Sequence, residues 1–235
     1  MADQPVALVT GASKGIGLGL VQYFLAKGYL VGGCSRSESK FESIGYHHAL
    51  VDVSDEVAVT AWVRETRRRW KRIDALICNA AYAPASQLLP MTGTLMWDRV
   101  MRTNVNGAFF ACREVAKAMI VQRHGRIVTL TSMAAALHIE GAGAYASSKA
   151  AITEMTKVLA RELASSGITC NIVGVSMVKT DMSDALGEIV VTRALEKLTL
   201  KRAIEVEEVC EVVGFLCSSA SRSVTGQIIQ MSLVT

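Results

Sequence analysis

Tyr145 and Lys149 stand at i and i+4 in Tyr145-Ala146-Ser147-Ser148-Lys149, the spacing that puts two side chains on one face of a helix. A free phenol, with a pKa of about 10, exchanges protons poorly at neutral pH, and a neighbouring ammonium favours its ionised form. Lys149 is therefore expected to bring Tyr145 toward working pH. Ser132, upstream of both, supplies a hydroxyl able to hydrogen-bond a carbonyl oxygen and orient it. Together they suit proton delivery to an oxygen on which charge develops, as when a ketone is reduced.

Reduction needs a hydride donor, and the sequence offers a place for one. Val6-Ala7-Leu8-Val9-Thr10 is a short apolar run, followed directly by Gly11-Ala12-Ser13-Lys14-Gly15-Ile16-Gly17 and a helix-length stretch. Glycines let the backbone turn tightly and approach a pyrophosphate, whose charge is stabilised by the free NH groups and dipole of the helix that follows. Strand, turn and helix in this order predict dinucleotide binding by Gly11, Ser13, Lys14, Gly15, Ile16 and Gly17. Where the second strand ends, an NAD site usually carries an acid for the ribose 2′-hydroxyl. The chain reads Cys34-Ser35-Arg36-Ser37 there. Arg36, with Lys14 opposite, can pair with a 2′-phosphate, so the expected cofactor is NADPH/NADP+.

The elements that must position these residues are near-continuous apolar strands alternating with helices. Leu30 to Cys34, His48 to Val51, Ala75 to Cys78, Arg126 to Leu130 and Thr169 to Val173 read as strands covered on both faces, with Gln227 to Met231 as a final one. Helices are expected near 15–27, 55–70, 95–122, 143–165 and 205–218. This alternation predicts an α/β fold: one Rossmann-type, doubly wound parallel sheet over residues 1–235, with helices on both faces and ligands beyond the carboxyl ends of the strands.

The glycine spacing G-x-x-x-G-x-G, then Cys78-Asn79-Ala80-Ala81, Asn104, Ser132, Tyr145-x-x-x-Lys149 and the stretch from Asn171 to Thr180, resembles the short-chain dehydrogenase/reductase family along nearly the whole chain. The resemblance implies that Asp52 and Val53 contact the adenine, that Asn79 and Ala80 line its ribose, and that Val178 and Thr180 contact the nicotinamide amide. It implies that Tyr145 and Lys149 also hold the cofactor, and that Asn104 supports a water linking the lysine to solvent. Asn104 falls inside a predicted helix, where asparagine is a poor former, which fits a specific role. Arg123-His124-Gly125-Arg126 and Gly167-Ile168-Thr169-Cys170-Asn171 are most similar to the family's 3-oxoacyl-[acyl-carrier-protein] reductases, which dock an acidic carrier protein on two arginines. Arg123 matches one of these and Ser166 stands at the other; Arg123 also reads as a cation closing a helix. Homo-oligomers, dimeric or tetrameric, are implied as well. The chain departs from the family pattern at Ala81, at Val175-Ser176 and at Ser232-Leu233-Val234.

Composition narrows the alternatives. A net charge of +4 without dense basic clusters does not fit a nucleic-acid binder. No apolar run reaches the roughly 18 residues of a membrane span. Met1-Ala2-Asp3-Gln4-Pro5 lacks a basic leader and cleavage site, so a cytoplasmic location is expected. Six cysteines without CxxC pairing read as reduced core thiols. No ligand cluster for a metal is seen, and of His47-His48 on an alternating strand start one ring is expected to face solvent. Arg67-Arg68-Arg69 reads as a dipole-complementing helix end. The Met- and Leu-rich stretch 181–200 is expected to form a substrate lid. The leading reading is an NADPH-dependent ketoreductase acting on a 3-oxoacyl thioester, carrier-bound or free, or a related polyketide ketone. An alcohol dehydrogenase working oxidatively and a weakly catalytic dinucleotide-binding partner subunit are the alternatives.

Overall fold

Short strands rich in Val, Ile, Leu and Ala bury both faces, and the chain spends them on one sheet. A computed structural model describes residues 4–179 and 188–234. Seven parallel strands, β1 (Val6–Thr10), β2 (Leu30–Ser35), β3 (Tyr46–Leu50), β4 (Ala75–Cys78), β5 (Gly125–Ser132), β6 (Ile168–Val175) and β7 (Ile228–Gln230), lie in the order β3-β2-β1-β4-β5-β6-β7. The chain builds outward from β1 to β3, returns to the middle at β4, and builds outward the other way. The reversal between β1 and β4 opens a crevice at the carboxyl ends, where such sheets bind ligands.

Helices cover both faces. On one side α1 (Gly15–Ala26) and a late helix, Val206–Cys217, contribute Leu20, Phe24, Val209, Val213 and Leu216 to a core over β1, β2 and β4. On the other, α2 (Glu56–Trp70), α4 (Gly107–Gln122) and α6 (Gly143–Leu163) bury Val59, Trp62, Val115, Met119 and Ile152 against Leu8, Leu76 and Ile127. Asp55 caps α2, accepting from the amides of Val57 and Ala58, and Arg67, Arg68 and Arg69 close its last turn, complementing the helix dipole. All six cysteines are buried and free.

Two expectations change. The third strand is not covered on both faces: it spans Tyr46–Leu50, forms the sheet edge, and is half-buried along most of its length. The single helix expected near 95–122 is α3 (Thr94–Val100) joined to α4 by a π-helical segment, Met101–Asn106. The short α5 (Met133–Ala136) follows β5. After residues 180–187, which lie outside the described residues, come α7 (Glu188–Glu196) and α8 (Val206–Cys217).

Candidate active site

A cleft of about 720 Å³ runs along the carboxyl ends of the strands, large enough for a sizeable organic ligand. At its centre the loop after β1 turns at Gly11 (φ 71°) and again at Gly15 (φ 54°), the left-handed backbone that favours glycine. At Gly17 a side chain would collide with the Gly11 carbonyl oxygen and the Asn79 amide, so α1 can start against the loop only with glycine there. Lys14 occupies the N-cap position without a side-chain cap, and the first turn of α1 carries no acid. That leaves a positive helix end facing the cleft, lined by Gly11, Ser13, Lys14, Gly15, Ile16 and Gly17. A backbone cradle that a Cβ would fill, at an uncapped helix N-terminus, fits a dinucleotide pyrophosphate.

The loop is held from beneath by Thr10 and Asn79. The Thr10 hydroxyl accepts from the amides of Asn79 (3.1 Å) and Ala80 (3.0 Å), and the Asn79 side chain donates to the carbonyls of Thr10 (2.9 Å) and Gly11 (3.2 Å). Asn79 thus ties β4 to the glycine loop while it and Ala80 line the cleft. Thr10 was not singled out by sequence, although a hydroxyl ending an otherwise apolar strand is a readable signal.

Arg36 lies in the loop after β2, exposed, on the cleft wall with Ser35, Ser37, Asp52 and Val53. The acid among these cleft-wall residues is Asp52, which follows β3. Burial pushes its carboxyl up, but hydrogen bonds from Ser54, with the charges of Arg36 and Arg102, outweigh that and hold it below the usual range. One oxygen of Asp52 accepts from both the Ser54 amide (2.9 Å) and hydroxyl (2.8 Å).

Ser132, Tyr145 and Lys149 line the opposite end. Ser132 is the last residue of β5 and caps α5 by accepting from the Ala134 amide at 3.2 Å. Tyr145 and Lys149 sit on the first turns of α6, with Lys149 Nζ 5.6 Å from the Tyr145 ring centre. Desolvation raises the Tyr145 pKa, and its hydrogen bond with Ser132 works against that rise. Lys149 is buried, donates to the Leu130 carbonyl at 2.9 Å, and is pushed down to about 8 by the same desolvation. The expected lowering of Tyr145 by Lys149 is therefore not what this arrangement shows. The lysine's own charge is destabilised by burial, and its ammonium is turned to a backbone carbonyl.

Asn104 stands behind this cleft, fully buried in the π-helical segment. Its Oδ1 accepts from the Tyr82 amide (2.7 Å), and its Nδ2 donates to the Tyr82 carbonyl (3.1 Å) and the Ser148 hydroxyl (2.9 Å). The side chain fixes the segment after β4 to α6. Val178, buried beside the cleft, bridges to Ile204, while Thr180 lies outside the described residues. Of the expected lid, 181–187 also lie outside them; Ala194 of α7 reaches the cleft, and Leu198 packs with Met133 and Leu233. Among the described residues no group of three or more His, Cys, Asp or Glu side chains could hold a metal ion, and no helix is long and apolar enough to cross a membrane.

An open parallel sheet, a glycine cradle after its first strand and a serine, tyrosine and lysine across the cleft define a nucleotide-dependent oxidoreductase architecture. A family profile described as enoyl-(acyl carrier protein) reductase matches residues 11–232, and the chain belongs to the short-chain dehydrogenase/reductase family of NAD(P)-dependent oxidoreductases. It is 30% identical over 233 residues to 3-oxoacyl-[acyl-carrier-protein] reductase FabG of Escherichia coli (strain K12), covering 97% of this chain and 95% of that protein. With the FabG of Staphylococcus epidermidis (strain ATCC 12228) the identity is 34% over 238 residues, 96% of each. Among solved structures, ElxO with NADP bound superposes with a TM-score of 0.91 at 26% identity, covering 97% of this chain and 96% of that one. A tyrosine-to-phenylalanine variant of ElxO with NADPH bound gives the same values.

Proposed function

We propose that this chain is an NADPH-dependent ketoreductase whose catalytic group is Ser132, Tyr145 and Lys149, with Asn104 as a positioning residue, and whose substrate is a 3-oxoacyl thioester or a related ketone. The observation that carries the reading is the shared cleft: a proton-donating hydroxyl pair at one end, and at the other an uncapped helix with Lys14 and Arg36 and no acid at the end of β2. The relatives named as 3-oxoacyl-[acyl-carrier-protein] reductases and the NADP-bound neighbours support it.

When bound, NADPH supplies a hydride to the carbonyl carbon. Charge then develops on the carbonyl oxygen, and the Ser132 hydroxyl hydrogen-bonds that oxygen and orients it. Tyr145 stays protonated well above neutrality because its hydroxyl is desolvated, so it acts as the proton donor to the same oxygen. Lys149, near half-protonated at about pH 8, holds the nucleotide ribose and replenishes the proton. Asn104 keeps α6 in register with the segment after β4 through Ser148 and Tyr82. Gly11, Ser13, Gly15, Ile16 and Gly17 hold the pyrophosphate; Asp52, Val53, Asn79 and Ala80 hold the adenosine; Val178 and Thr180 hold the nicotinamide amide. The 181–200 stretch serves as the lid of this NADP(H)-binding unit.

The carrier protein enters this reading through the relatives. Arg123 precedes β5, so it lies at the sheet end opposite Ser132, separated from it by the length of the strand Gly125–Ser132, about 23 Å. Its backbone closes α4 in the left-handed region (φ 55°), and its guanidinium donates to the Ser165 carbonyl at 2.8 Å. A carrier docked there does not face the cleft of the same chain, so that role needs a homo-oligomer. Phe109, Val121 and Val158, exposed on α4 and α6, offer an apolar face for one. The test is NADPH oxidation with 3-oxoacyl groups on a small thiol and on the carrier. We expect turnover with both, and a loss in Arg123→Glu confined to the carrier-bound substrate. No turnover with either would refute the ketoreductase reading.

A further inference from the structure

Arg36 is exposed and carried on a loop, and such a side chain discriminates a ligand only if its backbone is already fixed. What fixes it is an imidazole on the neighbouring strand. His48 Nε2 lies 3.0 Å from the Ser35 hydroxyl and 3.1 Å from the Ser37 carbonyl, the residues on either side of Arg36, and the Ser35 hydroxyl donates to that carbonyl at 2.5 Å. A carbonyl only accepts, so Nε2 carries the hydrogen and Nδ1 is left to accept. It does so from the Tyr46 hydroxyl at 2.7 Å. With the ring placed so, every group in the cluster has a partner.

Tyr46 extends the same brace. Its hydroxyl hydrogen-bonds the Ser39 side chain, and the Ser39 hydroxyl also accepts from the Phe41 amide at 3.2 Å. The phenol reaches this position because residue 33 of β2 is glycine: a Cβ there would meet the Tyr46 hydroxyl at 2.6 Å. Ser35, Ser37 and Ser39 are alternate residues, and each is tied to β3. Both histidines at the strand start are half-buried, and His48 is the one whose ring is built into the loop.

We propose that His48, seconded by Tyr46, is a positioning residue for nucleotide choice: it clamps the loop on both sides of Arg36 and so creates the preference for a 2′-phosphate. This rests on the reading of Arg36 as the 2′-phosphate partner. His48 does not touch the phosphate. It acts by holding the Ser35 hydroxyl and the Ser37 carbonyl, so that Arg36 between them lines the cleft.

The test is calorimetric, on the whole protein, with adenosine 2′,5′-bisphosphate and adenosine 5′-monophosphate, which differ only in the 2′-phosphate. Wild type should bind the bisphosphate more tightly, and Arg36→Ala should abolish the difference. His48→Leu should cut the ratio of the two affinities by about tenfold, the weight of one lost ordering interaction, with monophosphate binding unchanged. His48→Gln keeps a donor at the Nε2 position and should restore most of the ratio. In the Arg36→Ala background His48→Leu should have no further effect. An unchanged ratio in His48→Leu, or equal weakening of both nucleotides, overturns the clamp while leaving the Arg36 reading intact. A wild type that ignores the 2′-phosphate, or Arg36→Ala with its preference intact, refutes the Arg36 reading and the clamp with it.

Discussion

At the β5 and α6 end of the cleft, Lys149 is 3% exposed and its pKa has fallen to about 8, while Tyr145 is raised. At the β2 and β3 end, Arg36 stands in solvent on a loop that hydrogen bonds hold in place. Both ends set a cation on the same cleft, under opposite conditions. Where water is excluded, the protein changes what a group is, moving its proton affinity with few charges nearby. Where water is present, what the protein specifies is the group's placement. In the proposed function, chemistry belongs to the dry end and discrimination to the wet one.

The largest effect should come at the dry end. Tyr145→Phe removes the proton donor, and kcat should fall by about a thousandfold. NADPH affinity, read by fluorescence titration, should stay within about twofold; a variant retaining a tenth of the activity would remove Tyr145 from its role. Next comes the pH profile. Lys149 has a depressed pKa, so it is protonated below about 8 and neutral above. The reduction rate should fall as pH rises through 8, approaching tenfold per unit, and this limb should vanish in Lys149→Met, which should keep a low, flat rate. A rate that climbs through this range would show that the neutral amine is the active form.

Smaller effects belong to the wet end. Arg36→Ala should raise the KM for NADPH about tenfold and leave the NADH KM and both kcat values nearly unchanged. If NADH suffers equally, Arg36 supports the adenosine rather than the phosphate. The smallest effect is that of salt. Raising ionic strength from about 0.1 M to 1 M shortens the screening length from about 10 to 3 Å. NADPH affinity should weaken severalfold over this range, while single-turnover reduction in the saturated enzyme, governed by buried groups, should hardly move.

Much of this could be read along the chain because it rests on local pattern. Gly11, Gly15 and Gly17 follow an apolar strand and open a helix, and β4 falls at Ala75–Cys78 as its apolar run indicates. Tyr145 and Lys149 share a helix face by spacing alone. What escaped depends on contacts distant in sequence or on solvent. His48 reads as one of two histidines on an alternating strand; its role comes from Ser35 and Ser37, which only strand pairing brings near. The edge position of β3 follows from sheet order, which no single strand encodes. The Lys149 pKa depends on how deeply α6 packs against β5. The break in the helix expected near 95–122 escaped because Met101 to Asn106 interrupts no polar or apolar rhythm.

In that π-helical segment the Gly107 amide bonds the Arg102 carbonyl, five residues back, so the chain winds one residue more per turn than an α-helix would allow. In an unbroken α-helix an extra residue would turn everything downstream by about 100°. The wider turn absorbs it, so Ala108, Ala111, Cys112, Val115 and Met119 of α4 stay buried against the sheet. Deleting one residue between 101 and 106 would let the segment relax to a regular helix with that stripe still in place, at the cost of the turn that carries the buried Asn104. The segment thus works as slack between two helices, taking up one residue of length without passing a rotation on to α4.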